Sequence, residues 1–215
     1  MARLDSPVNP RLPDPNPGTE TAGYLSGLLS VLRLYFNRIT SIFQLLLGPS
    51  GGSFLQNPHA LLMSNEDQSN PSITGANQLT FNQPIITQGV RVENTDEIWF
   101  EKSGQYLVTF RLQVSNRGNT AAEFEVWASY DGTNYPLSNT RFDVPVRKSA
   151  SINSHIVPTI SGIFTVANPQ TEYLTIKWWS DSTDVYLEHY AAGTSPTRPE
   201  IPSVILTVNF VSRLP

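Results

Sequence analysis

The stretch Ser103-Gly104-Gln105-Tyr106-Leu107-Val108-Thr109-Phe110-Arg111-Leu112-Gln113-Val114-Ser115 decides the fold. Tyr106, Val108, Phe110, Leu112 and Val114 alternate with Leu107, Thr109, Arg111, Gln113 and Ser115. A period of two turns one set toward a core and the other toward a wetter face, as a β-strand requires. Working outward, apolar rows recur at Phe124, Val126, Ala128 and Tyr130, at Leu174, Ile176 and Trp178, and at Val204, Leu206, Val208 and Phe210. Shorter strands are predicted near residues 79–81, 85–87, 98–100, 138–144, 152–157, 162–166 and 185–190. Ser103-Gly104, Asn116-Arg117-Gly118-Asn119, Asp131-Gly132-Thr133-Asn134 and Asn168-Pro169 supply turn chemistry between them. Roughly ten short strands with no helical pattern among them predict an antiparallel sandwich or jelly roll, not a parallel α/β sheet.

Upstream, the period changes. From Leu25 a heptad runs through Leu28, Leu32, Tyr35, Ile39, Ile42 and Leu46 at successive a and d positions. Leu29, Phe36 and Phe43 add a stripe at e, and Val31 and Leu45 sit at g. The apolar face is wider than a two-stranded coil covers, which points to a helix that associates with its own copies or docks into another protein. The alternative is an amphipathic cover on the chain's own β domain. Thr19 or Thr21 is the expected N-cap, and Gly48-Pro49 stops the helix. Gly23 and Gly27 weaken its first turns by up to about 1 kcal/mol each, so a partner is expected to complete it. Arg33, Asn37, Arg38 and Gln44 interrupt the apolar run before the roughly 20 residues that a membrane span needs. No membrane insertion is expected.

The chain is thereby divided into a proline-rich extended arm at 1–17, the apolar heptad helix at 18–48, a linker at 49–76 and a β jelly-roll head at 77–215. Pro7, Pro10, Pro13, Pro15 and Pro17 hold the arm extended. Gly, Ser, Asn and Gln dominate the linker, whose apolar content is a short patch at Leu61, Leu62 and Met63.

Composition excludes several functions. Charged residues make up 15% of the chain and the net charge is -4, with no run of Lys or Arg, so the footprint that neutralises phosphates is missing and nucleic acid is not an expected partner. The absence of cysteine removes disulfides, thiolate metal sites and cysteine nucleophiles. The polar residues 1–17 hold no apolar signal-peptide core, so synthesis in the cytosol is expected.

Catalytic patterns are equally sparse. His59, His155 and His189 stand in no metal-ligating spacing, and no P-loop, G-x-S-x-G or Rossmann glycine pattern occurs. Glu93, Asp96, Glu97 and Glu101, or Glu123 and Glu125, could in principle pair for glycoside hydrolysis, but alternate strand positions on a wet face are more often solvated. Asp181, Asp184 and Glu188 could offer oxygens to calcium, or simply form a hairpin tip. The expectation is a non-enzyme with no cofactor and no metal site. Aromatic residues carry more. Adjacent Trp178 and Trp179 must face opposite sides of a strand, so Trp179 is expected outward, with Trp127 similarly placed. Together with Tyr186 and Tyr190 they form a predicted subunit interface or ligand platform.

The stretch 103–110 resembles the small-Gly-x-Tyr-x-x-x-Phe strand of the tumour necrosis factor superfamily and of complement-type globular heads, over about residues 77–211. That resemblance implies a ten-stranded, two-sheet jelly roll that trimerises through aromatic-rich faces, although the collagen-like stalk of some members is replaced here by the heptad helix. Ser129-Tyr130-Asp131-Gly132-Thr133-Asn134-Tyr135 is similar to hairpins of bacteriophage virion proteins. The resulting expectation is a homotrimeric virion protein, made in the host cytoplasm. Its arm and helix would fasten it to other virion proteins of the capsid or tail, and its head would project as a decoration or fibre. The alternative is a fibre-tip head that binds a host-surface glycan or receptor.

Overall fold

The computed structural model describes residues 21–47 and 57–214, with side chains of the helix described for 23–44. The arm at 1–17, the helix-end positions 18–20 and 48 with the Thr19 cap and the Gly48-Pro49 stop, and the first part of the linker, 49–56, lie outside the described residues. The chain separates into two compact units divided between Gln56 and Asn57. In the first, helix α1 spans Thr21–Leu47. No helix among the described residues is long and apolar enough to cross a membrane.

The second unit is mainly β. Its eight principal strands are β1 (His59–Ser64), β2 (Glu97–Phe100), β3 (Gly104–Leu112), β4 (Ala122–Tyr130), β5 (Thr140–Val144), β6 (Thr159–Val166), β7 (Tyr173–Ser180) and β8 (Val204–Ser212). They pair as nested antiparallel couples: β1 with β8, β2 with β7, β3 with β6 and β4 with β5. Side contacts of β3 with β8 and of β4 with β7 join the couples. First-with-last nesting is what results when one long antiparallel ribbon is wound around a core, and it makes the head a jelly roll. One sheet runs β6-β3-β8-β1 and ends on the edge strand Gln83–Gln88. The other centres on β4, β7 and β2 and ends on Val90–Glu93.

Local chemistry sets this winding. Asp131 and Gly132 both hold positive φ, 47° and 75°, and Thr133 pairs with Tyr130, so Asp-Gly closes a two-residue hairpin whose twist matches its strands. At Gly104 a side chain would strike the Phe210 ring and stand 2.7 Å from the Ser212 carbonyl, so only glycine lets β3 begin this close to β8. Two residues on, Tyr106 is fully buried between Phe100 and Phe210, with ring centroids 4.5 and 5.4 Å away, and its hydroxyl donates to the Lys102 carbonyl at 2.6 Å. Trp178 stacks on Phe124 at 5.6 Å across the β4–β7 pair. Burying such aromatic groups contributes about 1.5–3 kcal/mol each and anchors the two layers.

Several expectations need correction. The segment 57–76, read as linker, contains β1, which is hydrogen-bonded on both sides by β8 and by Gln83–Gln88 and is thus an interior strand of its sheet. Residues 79–81 form no strand. Leu79 and Phe81 are buried plugs held by Leu79 N–H to the Ile176 carbonyl and Phe81 N–H to the Thr95 carbonyl. The ten-stranded, two-sheet expectation is also too simple. Among the described residues a five-stranded and a seven-stranded sheet are joined by a four-stranded sheet built from Ser154–Ile156, Val114–Asn116, Val185–Leu187 and Gln68–Ser69, and by a two-stranded ribbon.

Candidate functional site

The strand periods sort the outward side chains into two surfaces of opposite character. Arg91, Glu93, Glu97, Glu123, Glu125, Arg141, Asp143 and Lys177 all lie on strands of the seven-stranded sheet. The strands of the five-stranded sheet contain a single permanently charged residue, Arg111.

On the charged sheet, Trp178 points into the core and Trp179 outward. Register sets Trp127 opposite Lys177 and Trp179 opposite Glu125, so the two tryptophans are diagonal neighbours on one face, about 7–8 Å apart. Each ring is oriented by its N–H: Trp127 donates to Asn134 Oδ1 at 2.9 Å and Trp179 to the Ile73 carbonyl at 2.6 Å. Beside Trp127 a cleft of about 260 Å³ is lined by Glu125, Trp127, Asn134, Tyr135, Leu137 and Asn139. Asn139 donates from Nδ2 to Glu125 at 2.7 Å. Farther along the face, Arg91 lies over Trp99, which packs on Tyr173.

Tyr186 and Tyr190, expected to share this platform, lie elsewhere. Tyr186 is in the four-stranded sheet, opposite Ser115 and Ser69, under the Arg117 guanidinium, and its hydroxyl accepts from Asn153. Tyr190 donates to Glu188 at 2.8 Å and faces His155 Nε2 at 3.0 Å. Burial pushes the Tyr186 phenol up to about 12 and raises that of Tyr190 also, helped by the Glu188 carboxylate. The separation follows from the turn after β7: Ser182 and Asp184 carry the chain out of the β4–β7 sheet before Val185 enters another.

On the five-stranded sheet, register aligns the outward rows Ile163, Leu107, Asn209 and His59, then Ser161, Thr109, Thr207, Leu61 and Ile86, then Thr159, Arg111, Ile205 and Met63. At the β6 edge a second groove of about 260 Å³ is lined by Phe110, Tyr135, Pro136, Leu137, Ile160 and Phe164, among others. Leu137 is fully exposed there and holds φ at 60°, a conformation that costs an L-residue about 1–2 kcal/mol. The sequence reading missed this surface, although the near absence of charge from these strands was visible in it.

In α1, Leu28, Leu32, Tyr35, Ile39 and Ile42 are half-buried and Leu25 is exposed; the side chain of Leu46 lies outside the described residues. The e stripe is open, with Leu29, Phe36 and Phe43 at 54%, 61% and 56% exposure.

Most of the carboxylates weighed for catalysis or calcium have separate partners. Glu123 pairs with Arg141, Glu93 with Arg91, and Glu97 accepts from the Trp99 indole. Asp181 accepts the Glu123 N–H, Asp184 faces Arg117, and Glu188 serves Tyr190 and His155. Among the described residues no three His, Asp or Glu side chains converge as a metal site would require.

No family model matches the sequence, and no curated protein matches it. Among solved structures, the crystal structure of murine APRIL at pH 5.0 overlaps 72% of this chain and 100% of that chain, at 11% identity and a TM-score of 0.45. The structure of murine APRIL at pH 8.5 overlaps 73% of this chain and 100% of that one, at 13% identity and a TM-score of 0.43. The nested strand order, and not these overlaps, carries the jelly-roll assignment.

Proposed function

We propose that this chain is a non-enzymatic structural protein, a homotrimer whose heads associate through the five-stranded sheet and whose arm and apolar helix fasten it to a larger assembly such as a virion. The observation that carries the reading is the charge asymmetry between the two sheets, one charged residue against eight. Leu61, Met63 and Ile205 form one apolar cluster and Leu107 and Ile163 a second, separated by Ser161, Thr109 and Thr207 on a face whose one charge is Arg111, and exposed apolar groups on a face so poor in charge favour association. The apolar groove and exposed Leu137 at the β6 edge differ from the flat face beside them. An edge packed on a neighbour's face is a heterologous contact, which closes into a ring when the rotation permits. The e stripe of α1 adds a second apolar surface, three helical heptad positions long, in the same chain. The virion setting draws its support from the 129–135 hairpin resemblance and from the cysteine-free composition.

Light scattering at micromolar concentration tests the association. A mass about three times the chain's 23.9 kDa is expected, and Ile163→Glu, an outward and exposed position, should shift it toward the monomer. A monomeric parent would refute the reading. Particles that incorporate a chain truncated before Asn57 as well as the full chain would refute the fastening role.

A further inference from the structure

The charged sheet carries a feature whose polar side the association reading does not use, the cleft beside Trp127. Its six lining residues are one indole, one carboxylate, two carboxamides, one phenol and one leucine. No cation is among the lining residues: Arg141, the cross-strand partner of Glu125, is engaged by Glu123, and Lys177, the cross-strand partner of Trp127, borders the cleft without lining it. A phosphate or sulfate group would therefore meet the Glu125 carboxylate without a lining counter-charge.

What remains is a flat apolar surface ringed by hydrogen-bonding groups that both give and take. With its Oδ1 occupied by the indole N–H, Asn134 retains its amide donors. With one amide hydrogen donated to Glu125, Asn139 retains its carbonyl acceptor. Glu125 retains acceptor capacity on its other oxygen. Hydroxyl groups, each a donor and an acceptor, complement that set. A quaternary ammonium would need aromatic faces converging on one point, but the Tyr135 ring packs edge-on against Phe164 at 5.3 Å, on the other side of the hairpin. The site is also pre-ordered. The Trp127–Asn134 and Asn139–Glu125 bonds fix the ring and the polar rim before any ligand arrives, which lowers the cost of binding.

We propose that this cleft binds a neutral carbohydrate. One sugar ring lies on Trp127 with its hydroxyls on Glu125, Asn134 and Asn139, and the oligosaccharide extends toward Trp179, the diagonal neighbour on the same face. The cleft shares Tyr135 and Leu137 with the β6-edge groove, but Glu125, Trp127, Asn134 and Asn139, the groups that would hold the sugar, line the cleft alone. Oligomeric mass, read separately from sugar binding, tells failure of this reading from failure of the association.

The test uses the full chain on an array of neutral gluco-, galacto-, manno- and N-acetylhexosamine oligosaccharides, with heparin fragments and tetramethylammonium as competing probes. Hits are followed by tryptophan fluorescence titration. Saturable binding of a neutral oligosaccharide with Kd of about 1 mM or tighter is expected. Trp127→Ala should weaken it by about tenfold or more, and Asn139→Ala and Glu125→Gln by about threefold, with circular dichroism and oligomeric mass unchanged. Trp127→Phe, which keeps an aromatic face, should retain part of the affinity and covers the case in which the alanine variant fails to fold. The proposal is overturned if no neutral oligosaccharide binds, if only heparin or tetramethylammonium binds, or if the folded cleft variants bind like the parent.

Discussion

Replacing Tyr106 separates the two contributions its ring makes to the head. Tyr106→Phe deletes the hydroxyl that donates to the Lys102 carbonyl at 2.6 Å while leaving the ring against Phe100 and Phe210. Loss of one such hydrogen bond costs about 1 kcal/mol. Tyr106→Ala also removes the fully buried ring, and losses of this kind cost about 3–5 kcal/mol, a large part of the roughly 5–15 kcal/mol that holds a domain together. Urea unfolding followed by tryptophan fluorescence, at one fixed protein concentration, reads both. With a slope of about 2–3 kcal/mol/M, the midpoint should fall by roughly 0.3–0.5 M for Phe and by roughly 1–2.5 M for Ala. The pH dependence adds a second reading. Burial raises the phenol from its ordinary 10 to about 12, so the folded state holds the proton more tightly than the unfolded state. The resulting stabilisation is complete below pH 10 and is lost as pH rises from 10 through about 12. Tyr106→Phe should flatten that alkaline limb. Equal midpoint shifts for Phe and Ala, or an Ala shift below that of Phe, would refute the claim that the ring joins the two layers.

Two further perturbations follow from local geometry. Leu137→Gly relieves the positive φ at a fully exposed site, so the isolated head should gain about 1 kcal/mol in urea unfolding, while the oligomer, scored by light scattering, should dissociate more readily because the edge loses its exposed apolar side chain. Glu172 accepts from the Asn168 and Ala167 backbone N–H groups, the Asn168 amide and the Tyr130 hydroxyl, and these bonds, the Asn168 backbone first, hold its carboxyl below the ordinary value. A lowered folded value means stability present above the unfolded value and lost as pH falls through the folded one, so Glu172→Gln should flatten the acid limb of a pH–stability profile below about pH 4.5.

The strands with one wet and one dry face were legible in the sequence because of their alternation, which is strict in β3, runs through β8, and is broken in β4 and β7 only by buried Ser129 and Thr175. Asp131-Gly132 announced its hairpin for an equally local reason, the need for positive φ at both positions. Strand β1 escaped notice because of the face that the association reading uses. Leu61 and Met63 point outward beside inward Ala60 and Leu62, so four consecutive positions, 60–63, are apolar and the period of two disappears. The orientation of Trp178 and Trp179 required only that adjacent strand residues oppose one another. Which aromatic residues share a surface did not follow from that rule. The pairing of β4 with β7 brings Trp127 to Trp179, although 52 positions separate them, whereas the turn after Ser180 sends the nearer Tyr186 and Tyr190 to another sheet. Alternation and turn chemistry depend on neighbouring residues and are written along the chain. Strand partnership depends on long-range register, and the cleft beside Trp127 exists only once the 131–139 hairpin has folded back along β4.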